Sequence, residues 1–313
     1  MNQSTNFVVP QQIVAANITA AKEKTEFSLV RMILLGIFAG MFIAGGVAAS
    51  SVAMHAVSNV GLARLVAGIV FPVGLMMIVF VGGELFTGDC LMIMGCLHRK
   101  FSVFSMLRVL VVVFFSNFLG AAIFAALTSV SGQYGYSSDL LGAFTIKVAL
   151  GKVNLSFGSA FVSGILCNFF VCIAVLMAAA AKDIAGKVLA IFFPIMAFVV
   201  NGFEHCVANM YYVPAGIFAA SNESYVNAAE VAYGYTAAQL EVLNWGNFLL
   251  NNLLPVTLGN IVGGMVFVGI PLYVIHSAKL RQEMPVAAKA PAAAEIPKVP
   301  SYCRKQNTVS VAD

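Results

Sequence analysis

Four ionisable side chains lie inside long apolar runs: Glu84 and Asp89 in "VGGELFTGD" (81–89), and Glu204 and His205 in "VNGFEHCVAN" (200–209). An ionisable group at membrane depth is costly and by default marks a site or a pathway. His205 is the one that could move a proton near neutral pH, because the reference pKa of an imidazole is about 6.5. The other three histidines, His55, His98 and His276, sit at the ends of apolar runs, so no metal centre is expected. Of the six cysteines, five lie within or at the ends of such runs without zinc-site spacing, and they read as small packing residues. For His205 two readings stand side by side, a packed histidine bonded to a neighbouring helix and a group facing a path. Glu204, and Glu84 in the matching position, read as caps that hold opened backbone N–H groups, with direct substrate contact as the alternative. Thr87 adds a hydroxyl that can donate or accept. Gly82, Gly83, Gly88 and Gly202 suit bends and close approach, and Asn209 is grouped with these supports. Asn168 is read either as facing the path or as bridging helices.

The elements that must position these residues are membrane helices. Of 313 residues, 60% are hydrophobic and 10% charged, against about 25% charged in an average soluble domain. Mean hydropathy is +0.92. The apolar runs lack period-2 alternation, so the fold class is all-α and polytopic, embedded in the lipid bilayer. Residues 1–28 are mostly polar and predict no cleaved signal peptide. Runs at about 32–54, 104–130, 157–181 and 247–276 each match the ~20 residues of one crossing. Runs 65–97 and 186–216 are too long for one perpendicular helix and too short for two. A break at the polar centre of each explains both length and composition, because open backbone at membrane depth must line a cavity or be buried.

Six spans therefore follow, the second and fifth broken. Fourteen of the 17 Lys and Arg fall on the side of the termini, which places both termini in the cytoplasm. The halves echo each other: "GIFAGMF" (36–42) and "GILCNFF" (164–170), "FP" at 71–72 and 193–194, "NFLG" (117–120) and "NIVG" (260–263). Three spans per half make these inverted repeats, at about 29–131 and 157–276. The expected organisation is an amphipathic cytoplasmic segment at 1–28, a six-span domain at 29–282 and a disordered tail at 283–313. Ile13, Val14 and Ile18 share the apolar side of the first segment. The net charge of +4, scattered over loops and tails, is small for a nucleic-acid binder.

The sequence resembles the formate/nitrite transporter family through "ELFTG" (84–88), "GILCNFFVCIAV" (164–175), "GFEHCVANM" (202–210) and "LLPVTLGNIVGG" (253–264). The likeness covers about residues 10–282. It implies an aquaporin-like protomer in the inner membrane, assembled as a homopentamer with one path per subunit. It also implies passage of formate, nitrite or hydrosulfide, together with protons, and no cofactor. By resemblance alone, His205 is the central pore histidine, Thr87 the threonine of the broken second span, Asn168 the pore asparagine and Lys152 the vestibule lysine. Phe71, Leu75, Leu85, Val171 and Phe198 match two apolar constrictions. Two departures are visible. "KVNLSF" (152–157) lacks the paired histidines of many members, and Asp89 is an acid where the family is often neutral.

A bare anion pays heavily to cross apolar rings and its neutral acid far less. The expected mechanism is therefore protonation beside His205, by the imidazole or by water, with formate as the first candidate and hydrosulfide or nitrite next. An aquaporin-type channel would carry paired Asn-Pro-Ala, which is absent. An intramembrane hydrolase would need a nucleophile beside its base. Cys206, directly after His205, points elsewhere on a helix, and no Gly-x-Ser-x-Gly occurs. No enzymatic activity is expected.

Overall fold

The computed structural model describes residues 6–276. Six helices are long and apolar enough to cross a membrane: Leu29–Met54, Val60–Val81, Val103–Val130, Phe157–Ala180, Ile184–Asn201 and Trp245–His276, here spans one to six. Two shorter apolar helices, Phe86–Leu97 and Cys206–Ala219, follow spans two and five as half-helices. The breaks expected from run length are thus present, at residues 82–85 and 202–205.

Each span starts on a side-chain cap. Ser28, Asn59, Ser102, Ser156, Asp183 and Asn244 accept from the backbone N–H two or three residues into the helix they open, satisfying donors that would otherwise be orphaned. The matching Pro residues fall inside spans two and five. Pro72 separates helical segments Val60–Val70 and Val73–Val81, and Pro194 lies within Ile184–Asn201, each removing one backbone donor.

The two halves pack in the same manner. Span one crosses span three where a Cβ on Gly40 would collide with the Asn117 carbonyl and one on Gly120 with that of Ile37. Span four crosses span six where a Cβ on Gly164 would lie 2.7 Å from the Val256 carbonyl and one on Gly259 would strike that of Phe161. Small residues let backbones approach closely where hydrophobic burial supplies no drive, as in lipid. Span six also widens into π-turns at Phe248–Leu253 and Gly263–Gly269, on either side of the Leu254–Val262 segment that carries Asn260.

Helices outside the spans shape both ends of the bundle. Pro10–Thr25 buries Ile13, Val14 and Ile18 in a cluster with Leu91, Met94 and Leu176, against the first half-helix. Leu140–Val153, read from sequence only as connection, is a largely buried helix whose inward residues include Leu141, Phe144, Leu150 and Val153; it packs on the second half-helix, and Glu223–Tyr233 packs on it in turn. Among the described residues, the one β contact is an isolated bridge between Phe7 and Ala181. The tail expected at 283–313 falls outside the described residues.

Candidate permeation site

The two breaks are built alike. Span two ends at Gly82 with φ 101° and span five at Gly202 with φ 74°, conformations that L-residues with a Cβ rarely adopt. At Gly202 a Cβ would also strike the Arg64 guanidinium. Gly83 approaches Ala39, with 3.2 Å left for a Cβ. Gly88 lies inside the half-helix with only an ordinary 3.7 Å contact to Val175, so it is not needed for the bend.

The half-helices are held by two asparagines in equivalent places. Asn117 of span three accepts from Phe86 N at 3.0 Å and donates to the Gly36 and Glu84 carbonyls, both at 2.8 Å. Asn260 of span six accepts from Cys206 N at 2.9 Å and donates to the Gly164 and Glu204 carbonyls at 2.8 and 3.0 Å. One side chain thus caps the first N–H of a half-helix and ties the break to the span beside it. The carboxylates of Glu84 and Glu204, expected as caps, serve another purpose. A cap must follow the break toward the helix, whereas both acids turn away to meet lysines.

His205 is the N-cap of the second half-helix, its Nδ1 accepting from Ala208 N at 3.2 Å. An acceptor nitrogen carries no proton, so the ring proton resides on Nε2, 3.2 Å from Thr87 Oγ1. Nε2 then donates to Thr87, and the threonine hydroxyl keeps its own hydrogen for another partner. The contact joins the tips of the two half-helices, whose N-termini converge with their positive dipole ends. Asn168 lies behind this contact. Its amide donates to the Thr87 carbonyl at 3.1 Å and the Asn260 carbonyl at 2.7 Å. It occupies the place of Gly40 in the other half, so the clamp is reinforced on one side only.

Above His205 two aromatic rings meet. Phe71 and Phe198 pack edge to face with centroids 5.5 Å apart, and Phe198 stacks on the imidazole at 6.0 Å. Leu75, Leu85 and Val171 are buried in the same apolar core. On the side of Phe71 and Phe198 away from the N-terminal helix lies a cavity of about 720 Å³, lined by both rings, His205, Glu204, Lys152, Lys147 and Arg64 among others. Lys152 does not stand free in it: Nζ pairs with Glu204 Oε1 at 2.9 Å and sits 4.8 Å from the Tyr212 ring centroid. The other carboxylate oxygen, Oε2, accepts from Asn209 at 2.6 Å and Asn252 at 3.3 Å.

The first break carries a related set. Lys24, from Pro10–Thr25, reaches Glu84 Oε2 and Asp89 Oδ1, both at 2.6 Å. Burial alone would lower the pKa of the Lys24 ammonium, yet the charges of Asp89 and Glu84 hold it above the usual lysine value. The lysine therefore stays charged throughout the physiological pH range, and its side of the tie is lost as pH rises beyond that value.

The formate/nitrite transporter profile matches residues 11–274. The chain belongs to the formate/nitrite transporter family. A probable formate transporter of Methanothermobacter thermautotrophicus is 37% identical, covering 84% of this chain and 95% of that protein. The formate channel FocA of Haemophilus influenzae is 37% identical over 67% of this chain and 73% of its own length. Among solved structures, a pentameric formate channel with formate bound aligns with a TM-score of 0.71 at 34% identity, over 80% of this chain and 98% of that one.

In this family member, His205, Thr87 and Asn168 come together at the half-helix tips, and Lys152 with Glu204 and Asn209 forms a separate network on the cavity side. Phe71 and Phe198 line the cavity floor next to His205. Asn117, Asn260 and Asn252 were missed as single residues. The first two stand at the head of "NFLG" and "NIVG", so the repeat match was the signal that could have found them. Lys24 was missed because a lysine in an amphipathic surface helix is ordinarily solvated.

Proposed function

We propose that this family member is a homopentameric channel of the inner membrane for formate, each subunit passing the permeant as its neutral acid beside His205. The observation that carries the reading is the His205–Thr87 contact, a 3.2 Å pairing of two polar groups at the convergence of two helix N-termini, directly beneath the Phe71–Phe198 ring pair. Formate comes from the named relatives and the pentamer from the solved neighbour. The surplus of Lys and Arg on the side of the termini supports a cytoplasmic location for both.

The chemistry follows from the arrangement. Arg64 and Lys147 make the outer cavity attractive to anions. Lys152 contributes its field already balanced by Glu204. At the ring pair the anion loses water, which favours its protonated form. The hydroxyl hydrogen of Thr87, left free because His205 Nε2–H donates to the threonine oxygen, is the donor that receives a permeant oxygen. A proton reaches the permeant through water held against that hydroxyl. The imidazole stays neutral in this role, because a proton on Nδ1 would displace the Ala208 N–H that holds the half-helix. Beyond Leu75, Leu85 and Val171 the acid meets water and releases its proton.

Stopped-flow swelling of liposomes separates this reading from a neutral-solute pore. Liposomes holding the protein swell in formate and not in glycerol. Equal swelling in both would refute it, and faster uptake of nitrite or hydrosulfide than of formate would reassign the substrate within the family.

A further inference from the structure

We propose that Asp89 and Glu84 share one proton at neutral pH, forming a proton-binding site at the cytoplasmic end of the path. Its cytoplasmic placement rests on the topology proposed above; the proton itself does not.

The two halves of the fold supply the argument. In the second half, Lys152 meets Glu204, and five residues further on Asn209 donates an N–H to Glu204 Oε2 at 2.6 Å. In the first half, Lys24 meets Glu84, and five residues further on stands Asp89. The Glu84 and Asp89 carboxyls both lie 2.6 Å from the one Lys24 ammonium, but an ionised aspartate has no hydrogen to give where the asparagine has one. Asp89 is 1% exposed, and its Oδ2 has no hydrogen-bond partner. A proton on Asp89 restores the missing donor and fills that vacancy in the bonding pattern. Charge leads to the same place. Among the described residues, Lys24 and Glu84 are the charged groups acting on Asp89, and the thiols of Cys90 and Cys172 lie near it. One ammonium against two buried carboxylates leaves a net negative charge unless one carboxyl is protonated, and two acids in contact do not both ionise readily.

The site gives the channel a sensitivity to internal pH that is independent of His205. With the proton bound, the Lys24–Glu84–Asp89 cluster is neutral. Without it, a negative charge stands two residues from Thr87, beside the route of an anion.

The test is infrared spectroscopy of the full chain in lipid at pH 7. A protonated-carboxyl C=O stretch that shifts on exchange into D₂O is expected in the wild type and is lost in Asp89→Asn, which installs the asparagine of the other half. Absence of the band in the wild type, or its survival in Asp89→Asn, overturns the proposal. Should that variant fail to assemble, Asp89→Glu takes its place and must shift the band, an unshifted band overturning the proposal. A His205→Phe protein that has lost flux still shows the band, so failure of the transport reading is distinguishable. In liposomes, raising internal pH from about 6 to about 9 changes the proton gradient equally for both proteins, so wild-type formate flux should fall roughly two- to tenfold relative to Asp89→Asn, as one added unit charge beside the path would cause. An identical dependence in both proteins counts against the proposal.

Discussion

At the scale of single residues, three polar side chains do work that no carboxylate does. Asn117 and Asn260 each make three hydrogen bonds at a break, one of them to the leading N–H of a half-helix. Replacing Asn260 by Ala strands buried backbone groups at Cys206, Gly164 and Glu204, for which a loss of about 2–4 kcal/mol is expected. A thermal melt of the purified channel checks this. An unchanged melting temperature would mean that the half-helix is held by packing alone. The third residue is His205, whose Nδ1 is committed to Ala208 and whose Nε2 is committed to Thr87. Thr87→Val keeps the shape and removes the acceptor and the free hydroxyl hydrogen. Formate flux is expected to fall about tenfold or more with the fold intact, since one neutral hydrogen bond amounts to roughly 0.5–1.5 kcal/mol and an unpaired buried N–H costs further. Flux equal to the wild type would remove Thr87 from the path.

At the scale of elements, the breaks decide the architecture. Their existence was legible in the sequence because runs 65–97 and 186–216 have a length that neither one helix nor two can use, and because each centres on glycine and acid. What the acids do there was not legible. Glu84 and Glu204 looked like caps because a carboxylate near a helix start usually is one. Their lysine partners arrive from elements distant in sequence, Lys24 by 60 residues and Lys152 by 52, and no local pattern encodes such pairing. Helix Leu140–Val153 escaped notice for a related reason: its apolar face covers the second half-helix rather than crossing the bilayer, and 14 residues are too few for a span.

Gly202→Ala forces a Cβ onto a left-handed residue against Arg64, with an expected loss of about 1–2 kcal/mol from the backbone alone. Adding Arg64→Ala relieves the collision and leaves the backbone term, so the double variant should melt between Gly202→Ala and the wild type. Lys24→Met leaves Glu84 and Asp89 buried without a counter-charge, a change that typically costs about 3–5 kcal/mol. The expected result is a Pro10–Thr25 helix released from the half-helix and cut faster by protease in liposomes oriented with that face outward. Equal cleavage rates would show that Ile13, Val14 and Ile18 hold it without the lysine.

At the scale of the whole molecule, two inverted halves enclose one path, and their differences are as informative as their likeness. Asn168 stands where the first half has Gly40, and Asp89 where the second has Asn209, so the two half-helices are alike in backbone and unlike in charge. The outer surface is apolar over long stretches, with Phe104, Phe115, Val130 and Leu250 each more than 60% exposed. In a pentamer part of this surface is shared between subunits and the rest faces lipid. Under the proposed function the permeant crosses this path as its neutral acid. Formate uptake into liposomes carrying an internal pH indicator and a potential-sensitive dye tests it most directly. One proton is expected to enter with each formate without net charge movement, both fluxes being lost together in His205→Phe. Formate entry that generates a membrane potential without acidifying the interior would contradict it.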